Sequence, residues 1–580
     1  MKVLLTGNEA IARGAYEFGV AVAAAYPGTP STEILENIAQ YREIKSQWSP
    51  NEKVAMEVAV GASIAGARTL AAMKHVGVNV AADPLFTLSY SGVNGGLVLV
   101  SADDPGMHSS QNEQDNRYYA KFAKIPMFEP SDSQEAKDFV GLSLDVSEAY
   151  DVPVLLRSTT RISHSKTLVE LNAASERLVK SYVKDIKKNV MIPGHARLKR
   201  LHLEERYKKL QEYSETTPVN RVEWADKKVG VITSGIAYQY VKEAMPDASI
   251  LKLGFTWPLP DKMILDFASR VETLYVIEEN EPYLEEHIKA LGVVATGKDI
   301  FPITGELSAR IIERAIGGET HLPGQLAENV PMRPPVLCPG CPHRAVFYVL
   351  KQLKLHVTGD IGCYTLGALS PLDSMDTTIC MGASIPMALG FEKAHPELAE
   401  KTVAVIGDST FIHSGITGLI DIVYNHGTST VLILDNSTTA MTGHQENPST
   451  GKTLQKDPTT QVDMEALCRA VGVKRVFTVD PFAMDELKEL IKREVATREP
   501  SVIIAKRPCA LIVKHEAPLL TILHDNCVGC KMCMRVGCPA ISHGNKKSTI
   551  NAALCIGCGV CAQVCKFSAI VGDIPLTPIS

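Results

Sequence analysis

The sequence predicts an α/β protein of several doubly wound domains followed by a small C-terminal α+β domain. Three observations support this fold class. The chain has 580 residues, enough for about four domains of roughly 150 residues each. Short β-branched runs that end in small or polar residues alternate with helical segments, as in buried parallel strands. Eight of the 14 cysteines lie between residues 527 and 565, which indicates a separate small unit.

Composition and charge exclude several classes of protein. Hydrophobic residues make up 45% of the chain and charged residues 21%, as in globular domains with cores. The net charge of -6 provides no broad basic field, so we expect no nucleic-acid partner. No apolar run approaches the ~18 residues of a membrane helix, and the opening MKVLLTGNEA is not typical of a signal peptide. We therefore expect a cytoplasmic protein with no membrane segment.

The first half of the chain predicts one α/β domain and a connector. Over residues 1–165 we expect a helix at 10–25 (AIARGAYEFGVAVAAA), the turn YPGTPST, a second helix and a strand at 96–102 (GLVLVSA). Residues 166–220 are charged and predict a connector with a helix over 197–213. Its basic side chains are expected to face solvent rather than a ligand.

The second half predicts three further domains. Residues 221–325 predict an α/β domain with a docking or assembly role, with strands at 229–235, 251–260 and 273–280. A proline-rich hinge at 330–339 opens the next α/β domain, which covers 326–512. The last domain covers 513–580.

Two strands in residues 326–512 end in residues that could hold a metal ion. TVAVIGD (402–408) and TVLILDN (430–436) flank FIHSGITGLIDIVYNHG (411–427), which is long enough for a crossover helix. Asp408 and Asn436 would then lie at the carboxyl ends of two parallel strands, where open α/β sheets bind ligands. Their oxygens suit Mg²⁺, which also keeps substrate phosphates as ligands. A lone Gly-Asp-Ser could instead only cap a helix.

This arrangement resembles the signature of enzymes that bind thiamine diphosphate. That signature is Gly-Asp-Gly/Ser followed some 26 residues later by Asn, and here it is formed by Gly407, Asp408, Ser409 and Asn436. Gly407 would let the backbone approach a phosphate, and Ser409 opens a helix whose N-terminus favours anions. The resemblance implies that the carbonyl of Thr438 is a third protein ligand to Mg²⁺.

The cysteines near the end of the chain are typical of iron–sulfur ligands. Cys555, Cys558, Cys561 and Cys565 have the C-x2-C-x2-C-x3-C spacing of bacterial ferredoxins, with Lys566 where that pattern has proline. In the first run, one extra residue precedes the fourth cysteine, which Pro539 follows. Two zinc sites would more often use separate C-x2-C pairs. The ferredoxin pattern implies two [4Fe–4S] clusters with crossed fourth ligands, one held by Cys527, Cys530, Cys533 and Cys565, the other by Cys555, Cys558, Cys561 and Cys538.

The N-terminal region resembles 2-oxoacid:ferredoxin oxidoreductases. YPGTPST (26–32) is similar to the Y-P-x-T-P-S element of that family, in which the threonine contacts substrate at the cofactor, here Thr29. In such enzymes a second domain holds the aminopyrimidine of thiamine diphosphate and provides a catalytic glutamate. Aligning the glycines of residues 49–77 implies that this residue is Glu52, with Glu57 as the competing candidate. The alternative for Glu52 is a charge that only stabilises a helix N-terminus.

The resemblance extends along nearly the whole chain. NEK, KHVGVNVAADP, ADDP-x-MHSSQNEQD, CPGCPHR, GDIGCY, GDSTF and LDNSTTAMTG occur in the order found in family members that act on aryl pyruvates such as indolepyruvate. Pyruvate-using members have an arginine that binds the substrate carboxylate after the strand that corresponds to 96–102. Here that position is Asp103, which argues against pyruvate as the substrate.

Four more cysteines predict a third cluster near the thiamine. Some relatives hold a cluster there with a C-x2-C pair, one cysteine about 22–25 residues later and another late in the domain. The matching residues are Cys338, Cys341, Cys363 and Cys509. A zinc knuckle or free buried thiols are the alternatives. Cys380 and Cys468 then remain as ordinary small hydrophobic residues.

The resemblance implies oxidative decarboxylation of a 2-oxoacid, with the acyl group passed to coenzyme A. The two electrons would pass through the clusters to external ferredoxin. It also implies a separate small beta subunit and an (αβ)2 assembly. The rival hypotheses are a non-oxidative thiamine decarboxylase with vestigial clusters and an electron-relay subunit whose thiamine-type domains are only scaffold.

Overall fold

The computed structural model describes residues 1–317, 334–515 and 518–572. The chain divides into two compact units, Met1–Glu328 and Asn329–Ser580. The predicted boundary between residues 325 and 326, the first four residues of the predicted hinge and the last eight residues of the predicted C-terminal domain lie outside the described residues. No helix in the described part of the chain is long and apolar enough to cross a membrane.

The first unit is organised around a seven-stranded sheet. Six neighbouring strands run parallel, and one edge strand pairs antiparallel. Its central strands are fully buried, as expected for a sheet covered by helices. In order across the sheet, the strands are Phe255–Trp257, Met127–Phe128, Val154–Thr159, Leu97–Asp103, Thr69–Lys74, Val22–Ala25 and Lys45–Trp48.

Helices connect the strands of this sheet. In chain order, they are Gly7–Glu17, Thr32–Ile38, Glu52–Ile64, His75–Val80, Ala82–Ser91, Arg117–Ala123, Ser133–Tyr150 and Thr160–His164. A separate antiparallel pair, Lys2–Thr6 with Lys166–Glu170, brings the end of this region back to its beginning.

The predicted helix over residues 10–25 is wrong in its second half. The helix ends at Glu17, Gly19 takes a left-handed conformation with φ of +75°, and Val22–Ala25 is a strand. Alanine favours helices. Here parallel pairing on both sides of Val22–Ala25 outweighs that preference.

A second sheet of the first unit follows a long helix, Pro193–Thr216. Its strands, in order, are Thr273–Ile277, Asp226–Ser234, Ala248–Leu253 and Arg221–Glu223. The single strand predicted over 251–260 is in fact two, because the chain leaves this sheet at Gly254 and Phe255–Trp257 joins the seven-stranded sheet. The helices of this region are Ala237–Ala244, Asp261–Ala268, Tyr283–Ala290 and Ala309–Ala315.

The second unit contains a five-stranded parallel sheet. The order across it is His356–Thr358, Thr402–Gly407, Thr430–Asp435, Ser501–Lys506 and Arg475–Val479. Two apolar cores accompany these strands, one of which includes Phe347 and Val405 and the other Ile406 and Phe411. The longer helices are Pro342–Leu353, Ser384–Ala394, Ile416–Tyr424, Met464–Ala470 and Met484–Val495.

The C-terminal part of this unit is small and built on short elements. Two antiparallel pairs, Thr521–Ile522 with Ile570–Val571 and Ile541–Gly544 with Lys547–Ile550, enclose a core that includes Cys533 and Cys561. The extra residue before Cys538 lies in a 3₁₀ turn, Met532–Val536, followed by Gly537 with φ of +72°. This turn accommodates the longer spacer without breaking the small core.

Candidate active site

The candidate site residues of the first unit lie at the carboxyl edge of the seven-stranded sheet. From Val22–Ala25 the chain passes to Lys45–Trp48 on one side and then returns to Thr69–Lys74 on the other. Such a reversal is the place where open α/β sheets bind ligands. Thr29 lies in the loop that follows Val22–Ala25, and the Lys74 side chain crosses Gly28 in that loop. The predicted substrate threonine is therefore at the switch point of the sheet.

Glu52 lies at the same edge. It is the first residue of the helix Glu52–Ile64 and is 6% exposed, and Asn51 caps this helix by accepting a hydrogen bond from the Val54 amide at 2.9 Å. A Cβ atom added to Gly77 would lie 2.7 Å from both Cγ and Oε1 of Glu52. The carboxylate therefore lies directly against the helix that begins after Lys74.

Glu57, the competing candidate, is in a different environment. Its side chain is 46% exposed and pairs with Lys53 one turn earlier on the helix surface. Of the two glutamates, only Glu52 lies at the buried edge where a cofactor ring could be held.

Asp103 ends the next strand along and points into a buried ionic cluster. Its Oδ2 accepts hydrogen bonds from Arg157 Nε at 2.7 Å and from the Asn116 amide at 2.9 Å. Arg157 also donates to Glu129 and Asn280. Burial raises the pKa of Asp103, and Arg157 opposes that rise. Asp103 thus has a structural partner and could not bind a substrate carboxylate.

The second unit has candidate cofactor-binding residues of its own, at the carboxyl edge of the five-stranded sheet. Gly407 and Leu434 are register partners on adjacent parallel strands, so Asp408 and Asn436 follow neighbouring strand ends. A Cβ atom on Gly407 would lie 2.6 Å from Cε1 of Tyr364, so only glycine fits there. The carboxyl end of this strand therefore packs directly on the Tyr364 ring.

Asp408 is a buried carboxylate whose negative charge needs a positive charge nearby. Burial raises its pKa, and the nearby Asp435 carboxylate raises it further, whereas backbone amides of Ser409, Ser437 and Thr438 lower it. The Ser409 amide donates to Asp408 Oδ1 at 2.8 Å. Two carboxylates this close favour a bound cation, so these residues fit an oxygen-ligated ion such as Mg²⁺.

Asn436 and Thr438 complete the expected set of oxygen donors. Both are buried, and Asn436 Nδ2 lies 3.4 Å from Nε2 of His343. Burial lowers the pKa of His343 to about 4, so its imidazole is neutral near pH 7. A neutral imidazole adds no positive charge beside the proposed cation site. His343 was not identified from the sequence, although it directly follows the CPGCP motif.

Cys509 links this edge to the four-cysteine group. Its amide donates to the Asn436 carbonyl at 2.9 Å, and its sulfur lies 3.7 Å from Nε2 of His444. Burial raises the pKa of Cys341 to about 12 and that of Cys363 to about 11, and neighbouring cysteines of this group add to both shifts. The four cysteines predicted to hold a third cluster therefore lie near one another. Within the described residues, no group of three or more His, Cys, Asp or Glu side chains is arranged to hold a single metal ion.

The C-terminal cysteines separate into the two predicted sets. One cavity is lined by Cys527, Cys530, Cys533 and Cys565, the four assigned to one cluster by the crossed pattern. Backbone amides of Ser548 and Gly529 lower the pKa of Cys527, which favours the thiolate form that binds iron. In the second set, burial raises the pKa of Cys558, and Cys538 and Cys555 lie close enough to add to that rise.

Arg344 joins the CPGCP loop to the C-terminal part. It is buried and donates to the carbonyls of Leu337 and Cys338 on one side and to that of Val536 on the other. Gly340, with φ of +68°, lies so close to Ile556 that an added Cβ would be 1.9 Å from its Cδ1. The loop with Cys338 and Cys341 therefore packs on the loop with Cys555 and Cys558.

Three family models match the chain. Residues 13–218 match "Pyruvate flavodoxin/ferredoxin oxidoreductase, thiamine diP-bdg". Residues 360–505 match "Thiamine pyrophosphate enzyme, C-terminal TPP binding domain", and residues 519–566 match "4Fe-4S dicluster domain". The predicted fold class, with two thiamine-diphosphate-binding domains and a ferredoxin-like end, is confirmed.

Similar proteins cover the chain almost completely. Indolepyruvate oxidoreductase subunit IorA of Archaeoglobus fulgidus is 43% identical over 98% of this chain and 97% of its own. The protein of the same name from Pyrococcus horikoshii is 41% identical over 98% of this chain and 96% of its own. A solved 2-oxoglutarate:ferredoxin oxidoreductase from Magnetococcus marinus is 16% identical, with a TM-score of 0.46 over 54% of this chain and 64% of that one.

The resemblance first indicated by YPGTPST and the ferredoxin cysteines is confirmed by identity that extends along nearly the whole chain. This chain belongs to the family of the indolepyruvate oxidoreductase IorA subunits.

Proposed function

We propose that this chain is the large subunit of an enzyme that oxidatively decarboxylates aryl pyruvates, indolepyruvate among them, to acyl-CoA and CO2. The electrons pass through iron–sulfur clusters to ferredoxin. The observation that carries the proposal is that one chain combines both thiamine-diphosphate-type domains with a 4Fe–4S dicluster domain. The names of its relatives support indolepyruvate as the substrate.

In this proposal the residues of the second unit hold the cofactor's diphosphate. Asp408, Asn436 and the carbonyl of Thr438 would bind Mg²⁺, and Gly407 and Ser409 would face the phosphates. The buried Asp408 carboxylate requires a positive charge nearby, which supports this assignment. Bound thiamine diphosphate supplies the carbanion chemistry by which 2-oxoacids are decarboxylated.

In this proposal the residues of the first unit hold the aminopyrimidine ring of the cofactor and the substrate. Glu52 would hydrogen-bond the aminopyrimidine ring and keep it in the tautomer that can accept a proton. Its burial against Gly77 supports this role, because a fixed carboxylate is pre-oriented for proton transfer. Thr29 would contact the substrate at the switch point of the sheet.

The grouping of the cysteines is the basis for the proposed iron–sulfur clusters. The two C-terminal sets would hold one [4Fe–4S] cluster each, and Cys338, Cys341, Cys363 and Cys509 would hold a third beside the Mg²⁺ site. The packing of Gly340 on Ile556 supports a short path between this third cluster and the C-terminal ones.

The proposed partners follow from the chemistry and from the relatives' names. "Subunit IorA" in those names supports a second subunit. We propose a small beta subunit in an (αβ)2 assembly, with coenzyme A and ferredoxin as co-substrates. Fourteen cysteines used mainly as metal ligands fit a reducing compartment, so we also propose a cytoplasmic location.

The experiment is anaerobic purification of the native complex, followed by indolepyruvate with coenzyme A. Absorbance near ~400 nm, typical of thiolate-bound iron–sulfur clusters, should bleach only when the 2-oxoacid is present. Bleaching that occurs equally without it would contradict the proposal. Decarboxylation without bleaching would support the non-oxidative decarboxylase instead. Intact clusters without bound thiamine diphosphate would support the relay subunit.

A further inference from the structure

Lys74 is a buried cation at the switch point of the first sheet. It is the last residue of the strand Thr69–Lys74, which pairs with Val22–Ala25, and its residue exposure is 8%. An added Cβ on Gly28 would lie 3.0 Å from Lys74 Cβ and 3.8 Å from its Cδ, so the lysine stem crosses the loop just before Thr29. The helix that holds Gly77 against Glu52 begins at the next residue, His75.

The Lys74 ammonium has no carboxylate partner among the described residues. Its Nζ donates to the carbonyl of Ser109, and Asp104 acts on it only at longer range. Burial lowers the pKa of Lys74 to about 8, yet that value still leaves most of the side chain charged near pH 7. A buried charge of this kind is costly unless an anion compensates it.

Other cations near this edge are already engaged. Arg157 is paired with Asp103 and Glu129, and Arg161 is paired with Glu306. Burial lowers the pKa of His75, which keeps that imidazole neutral. Among the described residues at this edge, Lys74 is thus the cation that is available to a small anion.

Asp104 fixes the segment that covers Lys74. It accepts hydrogen bonds from the Ser109 amide at 2.9 Å, the Ser110 hydroxyl at 2.6 Å and the Thr160 hydroxyl at 2.6 Å. These bonds hold the Ser109 carbonyl on one side of the ammonium. An ammonium has three donors, so two remain for a ligand.

We propose that Lys74, with Thr29, binds the carboxylate of the 2-oxoacid substrate in place of the arginine that stands at the position of Asp103 in pyruvate-using relatives. This inference rests on the proposed function and adds the residue that recognises the substrate's charged end. A point charge on a flexible stem accepts a carboxylate without the fixed planar fork of arginine.

The test measures binding of two probes that cannot be decarboxylated. Indole-3-lactate carries the carboxylate, whereas indole-3-ethanol lacks it. Calorimetry on the native complex should show that Lys74→Met lowers the affinity for indole-3-lactate at least tenfold, because a charge-assisted hydrogen bond is lost. The affinity for indole-3-ethanol should not change. Lys74→Arg should retain part of the affinity. Lys124→Met, at a lysine paired with Glu204, is the matched control and should bind both probes normally.

Thermal unfolding separates recognition from a structural role. Without ligand, Lys74→Met should melt at or above the wild-type temperature because it removes a poorly compensated buried charge. A large loss of stability, or equal weakening of both probes, would overturn the proposal. If Lys74→Met does not fold, Lys74→Gln takes its place in both measurements, and the same outcomes decide. If the wild-type clusters bleach with indolepyruvate but the variants bind indole-3-lactate as tightly as wild type does, only the role of Lys74 is rejected. Wild type that does not bleach would reject the proposed function.

Discussion

At the scale of single residues, the position of Glu52 depends on a glycine. Gly77 lies where any side chain would contact Cγ and Oε1 of Glu52 at 2.7 Å. The catalytic role proposed for Glu52 therefore requires the absence of a Cβ atom on the neighbouring helix.

Gly77→Ala should displace the Glu52 carboxylate. Alanine is favoured over glycine within helices by about 1 kcal/mol, so the fold should tolerate the change. A shift of about 1 Å in a catalytic group can lower kcat about 100-fold, and we expect a loss of that order. Steady-state kinetics with indolepyruvate, beside a melting curve, measure both effects.

Gly61→Ala is the control for this prediction. Gly61 lies on the helix that Glu52 opens, and an added Cβ would meet no atom within 4 Å. It should keep wild-type activity with equal or higher stability. Normal kcat in Gly77→Ala would mean that Glu52 is not the proton-transferring residue.

A second prediction at this scale concerns Glu279. Burial raises its pKa to about 7, although the Leu307 amide and Arg157 oppose the shift and Glu306 adds to it. Below about pH 4.5 the carboxyl is protonated in both the folded and the unfolded chain. As pH rises to about 7 the unfolded chain loses its proton first, so folding loses up to about 3 kcal/mol from this group.

Glu279→Gln should abolish that contribution. The melting temperature of the variant relative to wild type should rise between about pH 4.5 and 7 and stay level above it. Glu281→Gln, at an exposed neighbouring glutamate, is the control for the substitution itself. A difference that does not change with pH would contradict the raised pKa of Glu279.

At the scale of elements, sequence patterns predicted buried strands better than they predicted small-residue segments. TVAVIGD and TVLILDN form adjacent parallel strands as expected, because β-branched runs have few alternatives to a buried sheet. The alanine-rich residues 22–25 form a strand because of pairing with strands distant in sequence, which no local pattern reveals. Lys74 was not identified for the same reason, since its buried setting depends on Gly28 and Ser109.

The contact between two cysteine loops gives the prediction at this scale. Gly340 has φ of +68°, and an added Cβ would lie 1.9 Å from Ile556 Cδ1. Gly340→Ala adds backbone strain of about 1–2 kcal/mol and should push the loop with Cys555 away from the loop with Cys338. Electron passage to the C-terminal clusters should slow, because their separation from the proposed third cluster increases.

Stopped-flow absorbance after mixing with indolepyruvate would measure that step. The control is Gly544→Ala in the C-terminal part, where an added Cβ meets no atom within 4 Å. Reduction at the wild-type rate in Gly340→Ala would show that electrons do not cross at this contact.

At the scale of the whole molecule, the number of clusters decides how the enzyme passes electrons one at a time. Decarboxylation yields two electrons, whereas each cluster accepts one. With two C-terminal clusters alone, the first acceptor lies in the small C-terminal part. With a third cluster, the first acceptor lies beside Asn436, whose carbonyl accepts the Cys509 amide bond.

Iron and sulfide content distinguishes these two arrangements. Three [4Fe–4S] clusters give about twelve iron atoms per chain, and two give about eight. Wild type should contain about twelve, and Cys363→Ser should lower the content to about eight while leaving the C-terminal clusters in place. Cys530→Ser should also remove about four iron atoms, but from the cavity that Cys530 lines with Cys527, Cys533 and Cys565.

Cys468→Ser changes a thiol buried in an apolar core and is the control that should keep the full iron content. About eight iron atoms in wild type, with no loss in Cys363→Ser, would mean that Cys338, Cys341, Cys363 and Cys509 hold no cluster. In that case substrate oxidation must reduce the C-terminal clusters directly.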